Sequence, residues 1–460
     1  MKKVVIQFPK QNPELYKIYF AAINKIKEET SRYSWHFALA NPAPGLPQKY
    51  PGIGIIPLMG FKRQRFGYVI DYSRCLKNGK DVEDVYTALC KELGHAFMDQ
   101  SVAPLEKGLV FEGVFDPCDG YGNSTEQLVL ALDRAHISMS FVPTRRNNNH
   151  LASAKFHELV NERNFLYKKY LLYHTPAITR THGKCQRAEK YILTMFETTK
   201  VPSAWAGRIN NKFNHLIVPS DFCKKIFKDA GVKVPIHKVP LGVNHKIWPM
   251  CENRAKRDKP FEFLLLANAH WSNSRKNYPL TLAAFKRAFG NRTDVKLILK
   301  ISGGWGGNKP NLPSNVEVID ARLPHKELVS LMHRADCFLF PSNGEGYGLP
   351  PREAMCTGLP VILCNWSSLT EICKDDIAYW VNPSGLQRAD LPKFLRSHNN
   401  GSDDFGQYAK INTDDLVEQM RHIVSHKREA FKKGKKAAQW VRKNENYDLS
   451  AKRLIEVMDL

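Results

Sequence analysis

The chain has 460 residues, and 68 Lys and Arg against 45 Asp and Glu leave a formal net charge of +23. That length is too great for one ordinary core and predicts two or three domains; with 43% hydrophobic and 25% charged residues the composition is that of a soluble globular protein, without an apolar run long enough to span a bilayer. The ten cysteines are scattered with no CxxC pair, which speaks against a zinc site, and the charge favours polyanionic partners: nucleic acid, an anionic lipid surface or phosphorylated ligands.

The first residues, MKKVVIQF, carry two lysines but no sustained apolar core and no small-residue cleavage site follows, so a secretory signal is not expected and a cytoplasmic location is. Residues 1–105 predict a small accessory α+β unit. VVIQF reads as a short strand, 14–29 as a helix with Tyr16, Tyr19, Ile23 and Ile26 on one face, and GIGIIPLMGF and RFGYVIDY as strands around the basic turn Lys62-Arg63-Gln64-Arg65. A second helix is expected over 81–97, capped by Asp81.

A different rhythm begins near residue 106. LVFEGVF is a buried-type strand, DPCDGYGN a glycine-bearing turn, STEQLVLALDRA a helix and ISMSFVP a second strand, which together make a βαβ unit with a glycine loop at its first turn. KYLLYHTP, KYILTMF and NHLIVPS continue the alternation to the helix that starts at Asp221, with Ser220 as its cap. Pro240-Leu241-Gly242-Val243-Asn244 follows as a linker, with Gly242 as its hinge. A second block runs over 246–440: FEFLLLANA, DVKLILKISG, VEVID, DCFLFPS and PVILCN as strands, with helices between them and long basic helices over 413–444. The last residues, 441–460, are expected to form a helix packing back toward the 106–245 domain. Two βαβ blocks in series predict an α/β protein with two Rossmann-like domains facing each other across a cleft.

The most informative segment lies within 335–373. CFLF ends at Pro341-Ser342, the loop Asn343-Gly344-Glu345-Gly346-Tyr347-Gly348 follows, and a helix opens at Leu349-Pro350-Pro351 with Glu353 in its first turns. Free amides at that helix start, beside three glycines that let backbone come close, suit a phosphate or sugar hydroxyls. Glu345 and Glu353 can both face the carboxyl edge of the sheet, where carboxylates accept paired hydrogen bonds from vicinal hydroxyls. The alternative, a solvated loop charge and a helix N-terminal charge, accounts for Glu353 but not for the Gly-Tyr-Gly-Leu-Pro-Pro between them.

SNGEGYGLPPREAMCTGLPVILCNWSSLTEI resembles the E-x7-E signature of retaining GT-B glycosyltransferases of the glycosyltransferase 4 type, and the resemblance extends over residues 108–460. It implies two facing Rossmann-like domains and transfer of a hexose, with retention of configuration, from a nucleotide-diphosphate sugar such as a UDP- or GDP-hexose. By the resemblance Glu345 lies by the transferred sugar, Glu353 binds the nucleotide ribose, and Lys276 in SNSRKNYPLTLAAF binds the diphosphate; Gly346, Tyr347, Gly348 and Leu349 belong to the same donor loop. Where the family often has an arginine six positions before that lysine, this chain has His270, so either His270 or Arg275 supplies the second cation. Without the downstream motif, Arg275-Lys276 reads as a solvated basic pair. Asp119-Gly120-Tyr121-Gly122 resembles the family's N-terminal glycine loop, which places Gly120 and Gly122 near the diphosphate. No histidine ends the YILTMF strand, as it does in many relatives; Glu197 stands there, either to orient the acceptor hydroxyl or to cap a turn, while His174 and His182 read as structural. No metal site is expected. For the acceptor, the charge and the basic-aromatic stretch 61–68 favour a hydroxymethylated base in duplex DNA; an anionic membrane surface with a lipid-linked or glycan acceptor is the competing reading, and a non-catalytic nucleotide-sugar binder the third.

Overall fold

The computed structural model describes residues 105–115, 120–145, 152–162, 167–179, 185, 188–252, 254, 259–267, 275–301, 311–372, 376–391, 395, 398, 402 and 404–460, together with the backbone of five strands before residue 72. Those five are β1 (Lys3–Phe8), β2 (Ser34–Leu39), β3 (Lys49–Tyr50), β4 (Ile53–Pro57) and β5 (Tyr68–Asp71). They form one sheet in the order β3-β4-β2-β1-β5, parallel except for β3 against β4. VVIQF, GIGIIPLMGF and RFGYVIDY each hold an expected strand, β1, β4 and β5, while β2 is an addition to the expected set. In the sheet β5 lies along β1, with β1 and β2 between it and β4. The helices expected over 14–29 and 81–97, and the basic stretch before Tyr68, lie outside the described residues.

The next sheet is built from β6 (Leu105–Val114), β7 (Met139–Arg145), β8 (Tyr167–Tyr173), β9 (Glu189–Leu193), β10 (His215–Val218) and β11 (Ile236–Lys238). Its order is β11-β10-β9-β8-β6-β7, all parallel. The helices α1 (Gly120–Arg134), α2 (Ala154–Glu162), α3 (Ser203–Lys212) and α4 (Asp221–Asp229) alternate with these strands. The strand order reverses beside β6, so α1, which follows β6, starts at the topological switch point, where open α/β sheets place their ligands.

The third sheet comprises β12 (Phe261–Ala267), β13 (Val295–Ile301), β14 (Val316–Asp320), β15 (Cys337–Phe340), β16 (Val361–Cys364) and β17 (Tyr379–Val381). It is again fully parallel, in the order β14-β13-β12-β15-β16-β17. CFLF and VILC are buried at every position, which is why they read as unbroken apolar runs: helices cover both faces of a parallel sheet. α5 (Tyr278–Phe289), α6 (His325–Arg334) and α7 (Leu349–Cys356) are its crossovers. Its switch point lies between β12 and β15, whose carboxyl ends lead toward Arg275-Lys276 and into the Pro341–Gly348 loop.

An antiparallel hairpin, β18 (Pro383–Arg388) with β19 (Gln407–Ile411), leaves the third sheet and reaches the second: Phe405 and Tyr408 are buried in the apolar cluster of that sheet, and Thr199 N donates to Gln407 O at 2.9 Å. α8 (Thr413–Ser425) and α9 (Lys427–Asn444) return along the third sheet before α10 (Tyr447–Met458) crosses to pack on α1, where Arg134 Nη2 meets Asp448 Oδ1 at 2.6 Å. At that crossing Gly242, the expected hinge of the linker, lies tight against the chain that enters α10. A Cβ there would lie 2.2 Å from Tyr447 N, so the missing side chain serves the close approach of two chain segments, which Val243 N and Glu445 O then bridge at 2.9 Å.

Candidate functional site

Beyond β15 the chain turns through Pro341–Gly348 into α7. Gly348 precedes the helix at φ +81, a left-handed conformation open to glycine at little cost, and Pro350 and Pro351 occupy the first turn, where their missing amides are no loss. Glu345 sits in the bend and is only 6% exposed. Its Oε1 accepts from Arg275 Nη1, Lys276 Nζ and Ser342 Oγ, each at 2.6 Å. Its backbone is pinned as well: Ser367 Oγ accepts from its N–H at 2.9 Å and Ser368 Oγ donates to its carbonyl at 2.7 Å. Burial pushes the Glu345 carboxyl up, but Arg275 and Lys276 more than offset this and hold it below the ordinary carboxylate range.

The two cations are not the solvated pair that the isolated sequence allowed; their side chains are 15% and 16% exposed. Burial pushes the Lys276 ammonium down to about 8 against the pull of Glu345, and its Nζ lies 4.2 Å from the Phe340 ring centroid, a favourable cation–π position. Arg275 Nη1 also donates to Gly344 O at 2.8 Å, and its Nη2 stands 3.9 Å from Glu197 Oε1. Glu197, four residues beyond the end of β9, brings a second carboxylate from the facing domain; burial raises its pKa, and Arg275 only partly reverses that. The domains touch here closely. A Cβ on Gly344 would lie 2.2 Å from Glu197 O. Gly344→Ala is therefore expected to destabilise the protein by about 1–3 kcal/mol through overpacking, read from urea unfolding, whereas Gly120→Ala, whose Cβ would meet nothing within 4 Å, leaves the midpoint unchanged or higher.

Glu353, on α7, accepts from Asn123 Nδ2 of α1 at 3.3 Å, and burial pushes its carboxyl up to about 7. Gly120 and Gly122 thus belong to the first turn of α1 rather than to a loop, as the sequence had suggested: glycine is tolerated at a helix start, and the helix begins earlier than its apolar pattern. Gly346 O accepts from Ser220 Oγ at 2.8 Å, while Ser220 caps α4 by accepting from Cys223 N at 3.1 Å. At two donor-loop positions the side chain is turned into the core. Tyr347 is 2% exposed and its hydroxyl donates to Leu241 O, so its side chain is a core group, and Leu349 packs against the apolar cluster of the second sheet. Only their backbone is left to face a ligand. His174 lies against the Tyr121 ring, 6.2 Å between centroids; His182, His270 and Asp119 lie outside the described residues.

Sequence reasoning missed Ser342, Asn123 and Arg352. Ser342 had a local signal, a hydroxyl three residues before Glu345. Arg352, inside the motif, is 1% exposed. Its Nε donates to Glu445 Oε2 at 2.7 Å, and its Nη1 donates to the carbonyls of Tyr347 and Gly348. The site is therefore a buried carboxylate shared by two cations at a helix start, with a second carboxylate one helical segment away and a third reaching in from the facing domain.

Residues 252–410 match the family described as glycosyl transferases group 1. Over 167 residues the chain is 28% identical to the MMP alpha-(1->4)-mannosyltransferase of Mycolicibacterium hassiacum, covering 35% of this chain and 39% of that protein. Over 113 residues it is 30% identical to the serotype-specific mannosyltransferase WbdA of Escherichia coli, covering 25% of this chain and 13% of that protein. The chain thus spans well under half the length of these relatives. Among solved structures, HepE of Anabaena in complex with UDP and glucose superposes with a TM-score of 0.52 at 11% identity, covering 77% of this chain and all of that one; at that identity the likeness is one of fold. The chain has the two-domain GT-B fold, and its second Rossmann-like domain matches the group 1 glycosyl transferases.

Proposed function

We propose that the protein transfers a hexosyl group, with retention of configuration, from a nucleoside-diphosphate sugar to a hydroxyl acceptor. The observation that carries this reading is the buried Glu345 carboxylate held by Arg275, Lys276 and Ser342 where α7 opens. Cleavage of the bond between the sugar's C1 and the diphosphate oxygen separates charge, leaving an oxocarbenium-like sugar and an anionic leaving group. Lys276 and Arg275 stabilise that anion, with the amides at the starts of α1 (Gly120, Gly122) and α7 (Gly346 to Leu349) around it. Glu345 orients these cations and takes hydrogen bonds from the sugar. Glu353 accepts from the ribose hydroxyls in place of Asn123, and Glu197 orients the acceptor. HepE, whose fold this chain shares, is known bound to UDP and glucose, in keeping with a nucleotide sugar as donor. The test is product mass spectrometry across a panel of nucleotide sugars, with hydrolysis measured in parallel: transfer to an acceptor supports the reading, and a protein that neither transfers nor hydrolyses any of them overturns it.

The acceptor reading rests on charge. Lys427, Arg428, Lys432, Lys435, Lys436 and Lys443 line exposed positions of α9, which has one acidic residue, Glu429. Among the described residues Leu386 is the one exposed large apolar side chain, so that surface offers cations without the apolar anchors of a membrane-lying helix. A hydroxymethylated base in duplex DNA is the acceptor this favours. Duplex binding is expected to fall by about 10³-fold or more between 50 and 200 mM salt, measured by fluorescence anisotropy; no binding at low salt removes DNA as the acceptor.

A further inference from the structure

The face of α1 turned toward the second domain carries a side chain that the mechanism leaves unused. Residues 123, 126 and 127 lie together on that face by helical spacing. Asn123 reaches Glu353, and Gln127 Oε1 accepts from Asn244 Nδ2 of the linker at 2.7 Å. Beside them Glu126 is only 3% exposed. Its Oε1 accepts from Ser153 N at 2.9 Å, and its Oε2 is buried with no hydrogen-bond partner among the described residues. A buried carboxylate oxygen without a donor is costly, and a ligand that brings the donor relieves the cost.

The surroundings narrow the ligand. From the facing domain His325, the first residue of α6, feels the Glu126 charge; burial pushes its imidazole down and Glu126 pulls it back only in part, so its pKa lies below the ordinary histidine value. It is therefore neutral at pH 7 and supplies no fixed cation to satisfy Glu126. His325 in turn stands edge-on to the buried Trp248 ring, 5.9 Å between centroids. Glu126 follows Asn123 by three residues, about 4.5 Å along the helix axis, so it stands one turn beyond the contact to Glu353. With the ribose on Glu353, a base that extends along α1 from Asn123 comes within reach of the Glu126 side chain.

We propose that Glu126 recognises the nucleobase of the donor and selects guanine, so that the donor is a guanosine-diphosphate sugar. The proposal rests on the nucleotide-sugar reading above. A carboxylate oxygen accepts hydrogen bonds, and the pairing edge of guanine presents two adjacent donors, N1–H and the N2 amino group. The pairing edge of uracil presents one N–H flanked by two carbonyl oxygens, which a carboxylate repels. A site built around a buried acceptor discriminates strongly against a ligand that leaves it unpaired.

Calorimetric binding of GDP and of UDP to the full chain tests this. The wild-type protein is expected to bind GDP at least about tenfold more tightly than UDP, and Glu126→Gln to weaken GDP by about 10- to 100-fold while UDP changes little or tightens. Equal or tighter binding of UDP by the wild-type chain overturns the proposal, and that ratio needs no variant to fold. Equal weakening of both nucleotides in Glu126→Gln overturns it as well, since a purely structural carboxylate would act on both alike. Binding of neither diphosphate overturns the nucleotide-sugar reading and the base assignment with it, an outcome distinct from a UDP preference.

Discussion

Lys276→Met lowers glycosyl transfer by about 10²- to 10³-fold and leaves the thermal midpoint close to that of the wild type. The rate loss follows from removing a cation aimed at the oxygen on which negative charge develops. The fold is spared because Glu345 keeps Arg275 and Ser342 as partners, and a methionine fills the space against Phe340. Glu345→Ala is the harsher change: it strips the one carboxylate shared by two buried cations, so transfer is lost and stability falls with it. A second measurement separates Lys276 from a bystander. Burial has brought its ammonium down to about 8, so near pH 8.5 a large fraction is neutral in the resting protein. A bound diphosphate favours the charged form and raises that pKa again, so binding takes up protons. Calorimetry in buffers of different ionisation enthalpy should show uptake at pH 8.5 that fades toward pH 6, where the lysine is already charged, and that is missing from Lys276→Met. Release of protons, or uptake unchanged in the variant, would count against the diphosphate assignment.

Much of this arrangement is local in the sequence. FEFLLLA, CFLF and VILC declare buried parallel strands because both faces of such a sheet are covered, and the loop from Asn343 to Gly348 declares a ligand-facing bend because a strand must give way there to a proline-started helix. What is not local did not show. Asn123 and Glu353 are 230 residues apart and Arg352 and Glu445 are 93 apart, and nothing in either short segment announces its partner. The start of α1 was hidden for another reason: a helix that opens on Gly-Tyr-Gly has the composition of a turn, and only the backbone tells the two apart. Tyr347 hides the direction of its ring in the same way. Its flanking glycines are those of a binding loop, yet the loop turns the ring inward, under the Arg352 guanidinium 3.7 Å from its centroid.

Arg352→Met is expected to cost about 3–5 kcal/mol of stability, the range for removing one partner of a buried ion pair, because Glu445 is left 9% exposed with its charge uncompensated. Burial already pushes the Glu445 carboxyl up, and Arg352 pulls it back only in part. Glu445→Gln should therefore cost less, since a neutral amide oxygen still accepts from Arg352 Nε, and the paired change Arg352→Met with Glu445→Leu should recover most of the loss in urea unfolding. Activity should not recover with it. The same guanidinium donates to the carbonyls of Tyr347 and Gly348 and ties the end of the donor loop to the crossing where Val243 meets Glu445. A methionine has no hydrogens to hold those carbonyls, and a lysine, a point charge without the planar fork, holds fewer of them at once. The stabilised double variant is thus expected to fold cooperatively yet transfer at least about tenfold more slowly, with Arg352→Lys between it and the wild type. Full activity in the double variant would mean that Arg352 only neutralises Glu445; slow transfer in a stable protein would mean that the loop carrying Glu345 depends on a tether anchored where the chain crosses between domains.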